Sequence, residues 1–183
     1  MRIISGKARG TKLETLAGIN TRPTLDRVKE SLFNIIQNDI NESVFLDLFA
    51  GSGSIGLEAA SRGAKKVILC DKSKDATNII NKNIEKTHLE NIVKLYNMDF
   101  KQLLSTTIGE NVDIVYIDPP YKSNYAVEAI ELLVKNKLVN NNSMIIVETD
   151  DEERFLKDIK DIKVKLTDKR KYGRAHILFL AKS

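Results

Sequence analysis

The sequence predicts an α/β fold: a doubly wound, mostly parallel sheet with an antiparallel C-terminal strand, preceded by a small β-hairpin and helix. Three observations point there. From residue 43 onward, short apolar strands alternate with helical stretches, the pattern of a parallel sheet with right-handed crossovers. A glycine-rich turn, Gly51-Ser52-Gly53-Ser54-Ile55-Gly56, stands between the first strand and the first helix, as in Rossmann-like folds. Two late strands follow each other without room for a helix between them, so the sheet should end in an antiparallel pair.

The elements justify themselves in order. Arg2–Ser5 and Thr11–Thr15 flank a turn rich in Gly, Lys and Arg, a hairpin pattern. Pro23 pre-sets a turn and Thr24 can cap a helix carrying Leu25, Val28, Leu32, Ile35 and Ile36 on one face. Strands are expected at Val44–Phe49, Lys66–Cys70, Ile92–Tyr96, Val112–Ile117 and Met144–Glu148, then at Lys163–Thr167 and His176–Leu180. Helices are expected at Ser54–Arg62, stopped by Gly63, at Ser73–Lys86 with Ser73 as N-cap, at Phe100–Leu104, and at Asn124–Lys135. The change of character near residue 43 suggests a basic extension over residues 1–42 and a main domain over residues 43–183.

Composition narrows the function classes. The chain has 183 residues, enough for one full domain and short for two. With 42% hydrophobic residues it has the apolar material to offset the entropy of folding. Cys70 is the single cysteine, which excludes an internal disulfide and a cysteine-rich zinc site. No signal-like core opens the chain and no apolar run reaches membrane-spanning length, so a cytoplasmic protein without membrane contact is expected. A monomer is the default, since no apolar interface stripe stands out. The net charge of +4 is unevenly spread: residues 1–30 carry +4, residues 160–183 carry +6, and the middle carries −6. Basic ends suit an anionic polymer, although solvated surface lysines give the same pattern.

The glycine motif alone admits a dinucleotide, S-adenosylmethionine or no ligand. Asp71, 20 residues after Gly51 and at the end of the second strand, can accept from ribose hydroxyls. Asp47, just before the glycines, would repel a pyrophosphate but tolerate a ligand bearing ammonium and sulfonium groups. Asp99 and Phe100 could take the amino group and the face of an adenine; Asp99 also stands where a helix N-cap belongs. Asp118 ends the fourth strand, in Asp118-Pro119-Pro120-Tyr121. Asp47, Asp71, Asp99 and Asp118 should therefore line one rim, a poor phosphate site and a good one for a cationic cofactor.

The tetrapeptide has a mechanical logic. The lone pair of an exocyclic amino group is delocalised into its ring. Two acceptors aimed at its hydrogens, the Asp118 carboxylate and the Pro119 carbonyl, pull the nitrogen toward tetrahedral geometry. Pro120 stiffens the turn, and Tyr121 offers a ring for an extruded base, a contact worth roughly 1–3 kcal/mol. Cys70, at the end of an apolar strand, reads as a core residue rather than a nucleophile. His88 reads as a surface residue and His176 as structural, so no metal site is expected.

Asp47–Gly56 followed by Asp118–Tyr121 resembles the class I S-adenosylmethionine-dependent methyltransferases of exocyclic amino groups. Arg2-Ile3-Ile4-Ser5-Gly6, Arg22-Pro23-Thr24 with Arg27 and Ser31-Leu32-Phe33-Asn34, and Lys171-Tyr172-Gly173 narrow the likeness. With them the chain resembles, over essentially its whole length, the RsmD family of 16S ribosomal RNA guanine-N2 methyltransferases. No motif departs from the family pattern. The resemblance implies S-adenosylmethionine as cofactor and ribosomal RNA, within a partly or fully assembled small subunit, as partner. It places Gly51, Gly53 and Asp71 on the cofactor and Asp99 and Phe100 at its adenine; Asp47, Phe49 and Lys72 complete the candidate cofactor set. It places Asp118 and Pro119 at the guanine amino group, with Tyr121 stacking and Pro120 beside the base. Arg22, Pro23 and Thr24 would lie near the cofactor or the substrate entrance, and Arg2, Lys7, Arg9 and Lys12 would touch RNA. An N6-adenine methyltransferase of RNA or DNA is the nearest rival. An NAD-dependent oxidoreductase and a non-catalytic RNA-binding protein are more distant ones.

Overall fold

The computed structural model describes residues 1–16, 23–106, 108–120 and 122–183, without the side chains of Pro23, Thr24 and Leu25. Seven strands form one sheet: β1 (Val44–Asp47), β2 (Lys66–Asp71), β3 (Val93–Asn97), β4 (Ile114–Ile117), β5 (Met144–Thr149), β6 (Val164–Tyr172) and β7 (Ala175–Lys182). Their order is β3-β2-β1-β4-β5-β7-β6. The first five are parallel, and β7 runs antiparallel to β5 and β6. Strand order reverses between β1 and β4, which opens a crevice at their carboxyl ends.

The central strands are apolar on both faces because helices cover both. Phe45, Leu69 and Ile146 face a core shared with α1 (Pro23–Ile35), α2 (Gln37–Ile40), α3 (Ser54–Ser61) and α4 (Lys74–Thr87). Leu46, Ile68, Val115 and Val147 face the opposite core, shared with α5 (Phe100–Ser105), α6 (Tyr125–Lys135) and α7 (Glu152–Asp158). Burial of each large side chain, such as Phe33 or Ile80, contributes roughly 1.5–3 kcal/mol.

Several details differ from the sequence expectation. The N-terminal segment forms a single antiparallel bridge, Arg2 to Lys12, rather than a ladder of strands. The bridge consists of Ile3 N–H to Thr11 O (3.0 Å) and Leu13 N–H to Met1 O (3.0 Å), and Gly10 N–H to Ile3 O (2.8 Å) helps to close the turn. The segment follows α3 instead of extending into a hairpin. Glu58, fully buried, accepts the N–H groups of Ile4 (2.8 Å) and Ser5 (3.0 Å). Ser61 Oγ accepts from Ala8 N–H at 2.9 Å and donates to Ser5 O at 2.6 Å. Gly6 has φ +84°, and a Cβ there would lie 1.9 Å from the Ser61 carbonyl oxygen, so only glycine permits this approach. Ile3, Ala8 and Leu13 are buried in the same core as Phe45 and Leu57.

Helix α1 begins at Pro23, whose missing N–H costs nothing at a first helical position. Thr24 therefore sits inside the first turn and not at the cap. The buried face is also rotated from the expected one: Lys29, Leu32, Phe33 and Ile36 point inward and Ile35 is exposed. A buried lysine inside an apolar stripe hid the true face. Lys29 Nζ donates to Arg2 O (2.6 Å) and Ser54 Oγ (3.0 Å) and pairs with Glu58 (3.4 Å). Strand β6 runs to Tyr172, beyond the expected Thr167, because an edge strand can carry a charged run, here Asp168-Lys169-Arg170-Lys171, where a central one would be apolar. Helices α2 and α7 are short, four and seven residues, and leave little periodic signal.

Candidate active site

The carboxyl ends of β1, β2 and β4 converge on a cavity of about 420 Å³. Leu48, Phe49, Asp71, Lys72, Met98, Asp99, Phe100, Asp118, Pro119, Pro120 and Tyr125 line it. A smaller cavity of about 190 Å³ shares Phe49 and Asp118 with it and adds Asp47, Gly51, Tyr116 and Glu148. The four strand-end aspartates thus line two neighbouring cavities along one rim.

Asp71 organises the glycine turn. Its Oδ2 accepts the N–H of Gly51 at 2.9 Å and its Oδ1 accepts that of Ser73 at 2.8 Å. A carboxylate oxygen carries further lone pairs, so both remain able to accept ribose hydroxyls. Gly51 and Gly53 bring the chain around this corner, with Gly51 facing the smaller cavity. Gly56 serves a different end: a Cβ there would meet Leu69 Cδ2 at 2.2 Å, so α3 packs directly on β2 only because the side chain is absent.

Asp47 is 1% exposed and its Oδ1 has no hydrogen-bond partner. Burial pushes its pKa up to about 7; the N–H groups of Phe49 and Gly56 oppose that rise and Asp71 adds to it. A buried, unpartnered carboxylate oxygen beside a cavity is the acceptor that an ammonium or sulfonium group would satisfy.

Asp99 is the N-cap of α5, where Oδ1 accepts from Lys101 N–H at 2.9 Å, and it also lines the larger cavity. Capping the helix thus leaves Asp99 on the cavity wall. Phe100 is only 4% exposed and forms a wall with Phe49 and Tyr125, at ring-centroid distances of 5.1 and 5.4 Å. Phe49 and Tyr125 are nearly parallel, 6.3 Å apart and tilted by 4°. The Lys72 ammonium lies 5.7 Å from the Tyr125 ring.

Asp118 reaches solvent through the open cleft, yet protein atoms crowd it on the remaining sides. That surround, together with Glu148 and Asp47, raises its pKa well above the ordinary carboxylate value. Cys70 is buried and donates weakly to Met98 O at 3.3 Å. Burial, with Asp71, Asp47 and Asp99 nearby, pushes its thiol up to about 12, which removes it as a nucleophile. Among the described residues no group of three or more His, Cys, Asp or Glu side chains could hold a metal ion. None of their helices is long and apolar enough to cross a membrane.

The remaining candidates fall elsewhere. Arg2, Lys7, Arg9 and Lys12 are exposed on the N-terminal segment. Arg22, Tyr121 and the side chain of Thr24 lie outside the described residues. The sequence reading passed over Tyr125, which opens α6, and Glu148, which accepts the Tyr116 hydroxyl at 2.7 Å. Glu148 carried a usable signal, since like the four aspartates it lies at the carboxyl end of a strand.

Sheet order, an antiparallel β7 and a cofactor-sized cavity over the β1–β4 crevice define the Rossmann-like methyltransferase fold. The family model described as Conserved hypothetical protein 95 matches residues 1–181, and the chain belongs to that family. It is 40% identical over 160 residues to Ribosomal RNA small subunit methyltransferase D of Haemophilus influenzae, covering 85% of this chain and 82% of that one. The protein of the same name from Escherichia coli is 36% identical over 152 residues, with 83% and 76% covered. A solved Escherichia coli structure described as the candidate methyltransferase yhhF superposes with a TM-score of 0.85 at 30% identity, covering 100% and 98%. The family resemblance drawn from the sequence therefore holds. The residues that fit S-adenosylmethionine are the orphaned Asp47 oxygen, the Asp71 acceptors and the Phe49–Phe100–Tyr125 wall.

Proposed function

We propose that this protein transfers a methyl group from S-adenosylmethionine to the exocyclic N2 amino group of a guanine in small-subunit ribosomal RNA. One observation carries the proposal: a single cavity joins Asp71 and Asp99, the acceptors for an adenosine, to Asp118-Pro119-Pro120, the acceptors for an amino group. The names of the relatives support ribosomal RNA of the small subunit as the substrate.

Bound S-adenosylmethionine supplies a methyl group already activated on a sulfonium. The protein's part is placement and charge. Asp71 holds the ribose, Asp47 faces the cationic end, and the aromatic wall excludes water from the cavity. Unstacking a guanine into the site costs a few kcal/mol. Asp118 and the Pro119 carbonyl then accept from its amino group and free the nitrogen lone pair for in-line attack. As positive charge grows on nitrogen, the Asp118 carboxylate stabilises it and takes the proton. The raised proton affinity of Asp118 suits that step.

In this proposal residues 1–42 are the RNA-gripping extension, through Arg2, Lys7, Arg9 and Lys12, with Arg22, Thr24 and Pro120 nearer the base and Tyr121 stacked upon it. Residues 43–183 are the methyltransferase domain. The protein acts as a monomer in the cytoplasm, on RNA within the small ribosomal subunit.

The test uses methyl-labelled S-adenosylmethionine and small subunits lacking native methylations, followed by nucleoside analysis. Labelled N2-methylguanosine is expected. Label in N6-methyladenosine would overturn the guanine assignment and favour the adenine rival.

A further inference from the structure

Strands β4 and β5 run parallel with Ile117 beside Val147. Asp118 directly follows β4 and Glu148 follows Val147 on β5, so two carboxyl-bearing residues stand side by side at the carboxyl end of the sheet, on strands about 4.8 Å apart. Alternation turns both toward the α1–α3 face. Tyr116 and Ile146, two residues earlier, belong to that core, while Ile117 and Val147 belong to the opposite one.

Glu148 and Asp118 line the same 190 Å³ cavity. Glu148 also lines a second open space, a groove of about 450 Å³ that shares Pro119 and Pro120 with the cofactor cavity. It thus stands between the smaller cavity beside Asp118 and the groove that adjoins the cofactor cavity at Pro119 and Pro120. Its position is fixed: the Tyr116 hydroxyl donates to its Oε2 at 2.7 Å, and Tyr116 is itself only 4% exposed. The transfer step described above gives Glu148 no task. Asp47, with its unpartnered Oδ1, already serves the cationic end.

We propose that Glu148 selects guanine, its carboxylate accepting the N1–H of the target base while Asp118 and the Pro119 carbonyl hold the 2-amino group. The proposal rests on the guanine assignment above. Guanine presents N1–H and its amino hydrogens side by side on one edge, and two neighbouring acceptors match both. Adenine presents a lone pair at N1, which a carboxylate repels. A site built to accept a hydrogen bond rejects a base that cannot donate it, because the acceptor is left desolvated and unpaired. Tyr116 is a positioning residue: its hydroxyl engages Oε2, which leaves Oε1 to turn toward the base.

The test uses 2-aminopurine, which keeps the 2-amino group but has a lone pair at N1. Once the modified position is mapped, small subunits are reconstituted with RNA carrying guanine or 2-aminopurine there. Wild-type protein should methylate 2-aminopurine with a kcat/KM at least about 100-fold lower than guanine. Glu148→Gln should lose about 100-fold on guanine and bring the two bases within about tenfold, because the amide N–H can donate to N1 of 2-aminopurine. Its affinity for S-adenosylhomocysteine should stay unchanged. Tyr116→Phe should weaken the preference by about tenfold with both carboxylates still present.

Equal rates on the two bases with wild-type protein would overturn the proposal without recourse to any variant. So would an equal loss on both bases in Glu148→Gln. N2-methylguanosine formed with unaltered base preference in Glu148→Gln would sink this inference and leave the guanine assignment standing. Wild-type protein that labels no guanine at N2 would sink both.

Discussion

The carboxylate of Asp71 holds the backbone N–H of Gly51 at 2.9 Å, so the acid that ends β2 fixes the turn that leaves β1. In the proposed function, turn and ribose acceptor are therefore one device. Asp71→Ala should remove both and weaken S-adenosylhomocysteine binding by about 10–100-fold. Calorimetric titration checks this, and an unchanged Kd would show that the turn is held by other means.

The N-terminal segment is attached through Glu58, which is fully buried and accepts from Ile4, Ser5 and Arg62 while pairing with Lys29. Removing one partner from such a network leaves a buried charge uncompensated. Glu58→Ala should cost about 3–5 kcal/mol in urea unfolding. It should also open residues 1–13 to limited proteolysis before the rest of the chain.

Asp47 costs stability where the proposed function gives it a binding role. Its folded pKa of about 7 lies above the ordinary carboxylate value of 3.8. The folded state therefore binds its proton more tightly than the unfolded one, and the carboxylate costs stability increasingly as pH rises from about 4 to about 7. Asp47→Asn should raise the melting temperature, more at pH 8 than at pH 5, by up to about 4 kcal/mol in stability. The same variant should bind S-adenosylmethionine more weakly. Equal Tm gains at both pH values would contradict the assignment.

Asp118 must be ionised to accept from the amino group. The protein atoms crowded around it first, then Glu148 and Asp47, raise its pKa, so transfer should fall as pH is lowered through a value above the ordinary carboxylate range. Glu148→Gln removes one negative neighbour and should move that inflection to lower pH. A pH–rate profile of single-turnover transfer measures both.

Much of the fold was legible in the sequence, and so was the rim on which the site proposal rests, because strand-end acids beside a glycine turn mark the crevice of such a sheet. Asp47, Asp71, Asp99 and Asp118 meet along one rim, and Ser73 and Asp99 cap their helices as their positions suggest. What escaped was set by long-range packing. Lys29 interrupts the apolar face of α1 because its charge is satisfied by Glu58, 29 residues away, and no local pattern announces that. Tyr125 joins Phe49 and Phe100 only once α6 folds back over the sheet. The N-terminal segment read as a hairpin because its partners, Glu58 and Ser61, lie on α3 and leave no local mark in the sequence.

The central claim is that Asp118 acts on the amino group rather than on the cofactor. Asp118→Ala should be assayed for methyl transfer to small subunits and, on the same preparation, for S-adenosylhomocysteine binding. Loss of N2-methylguanosine with cofactor binding retained is the predicted result. Wild-type turnover in that variant would contradict it.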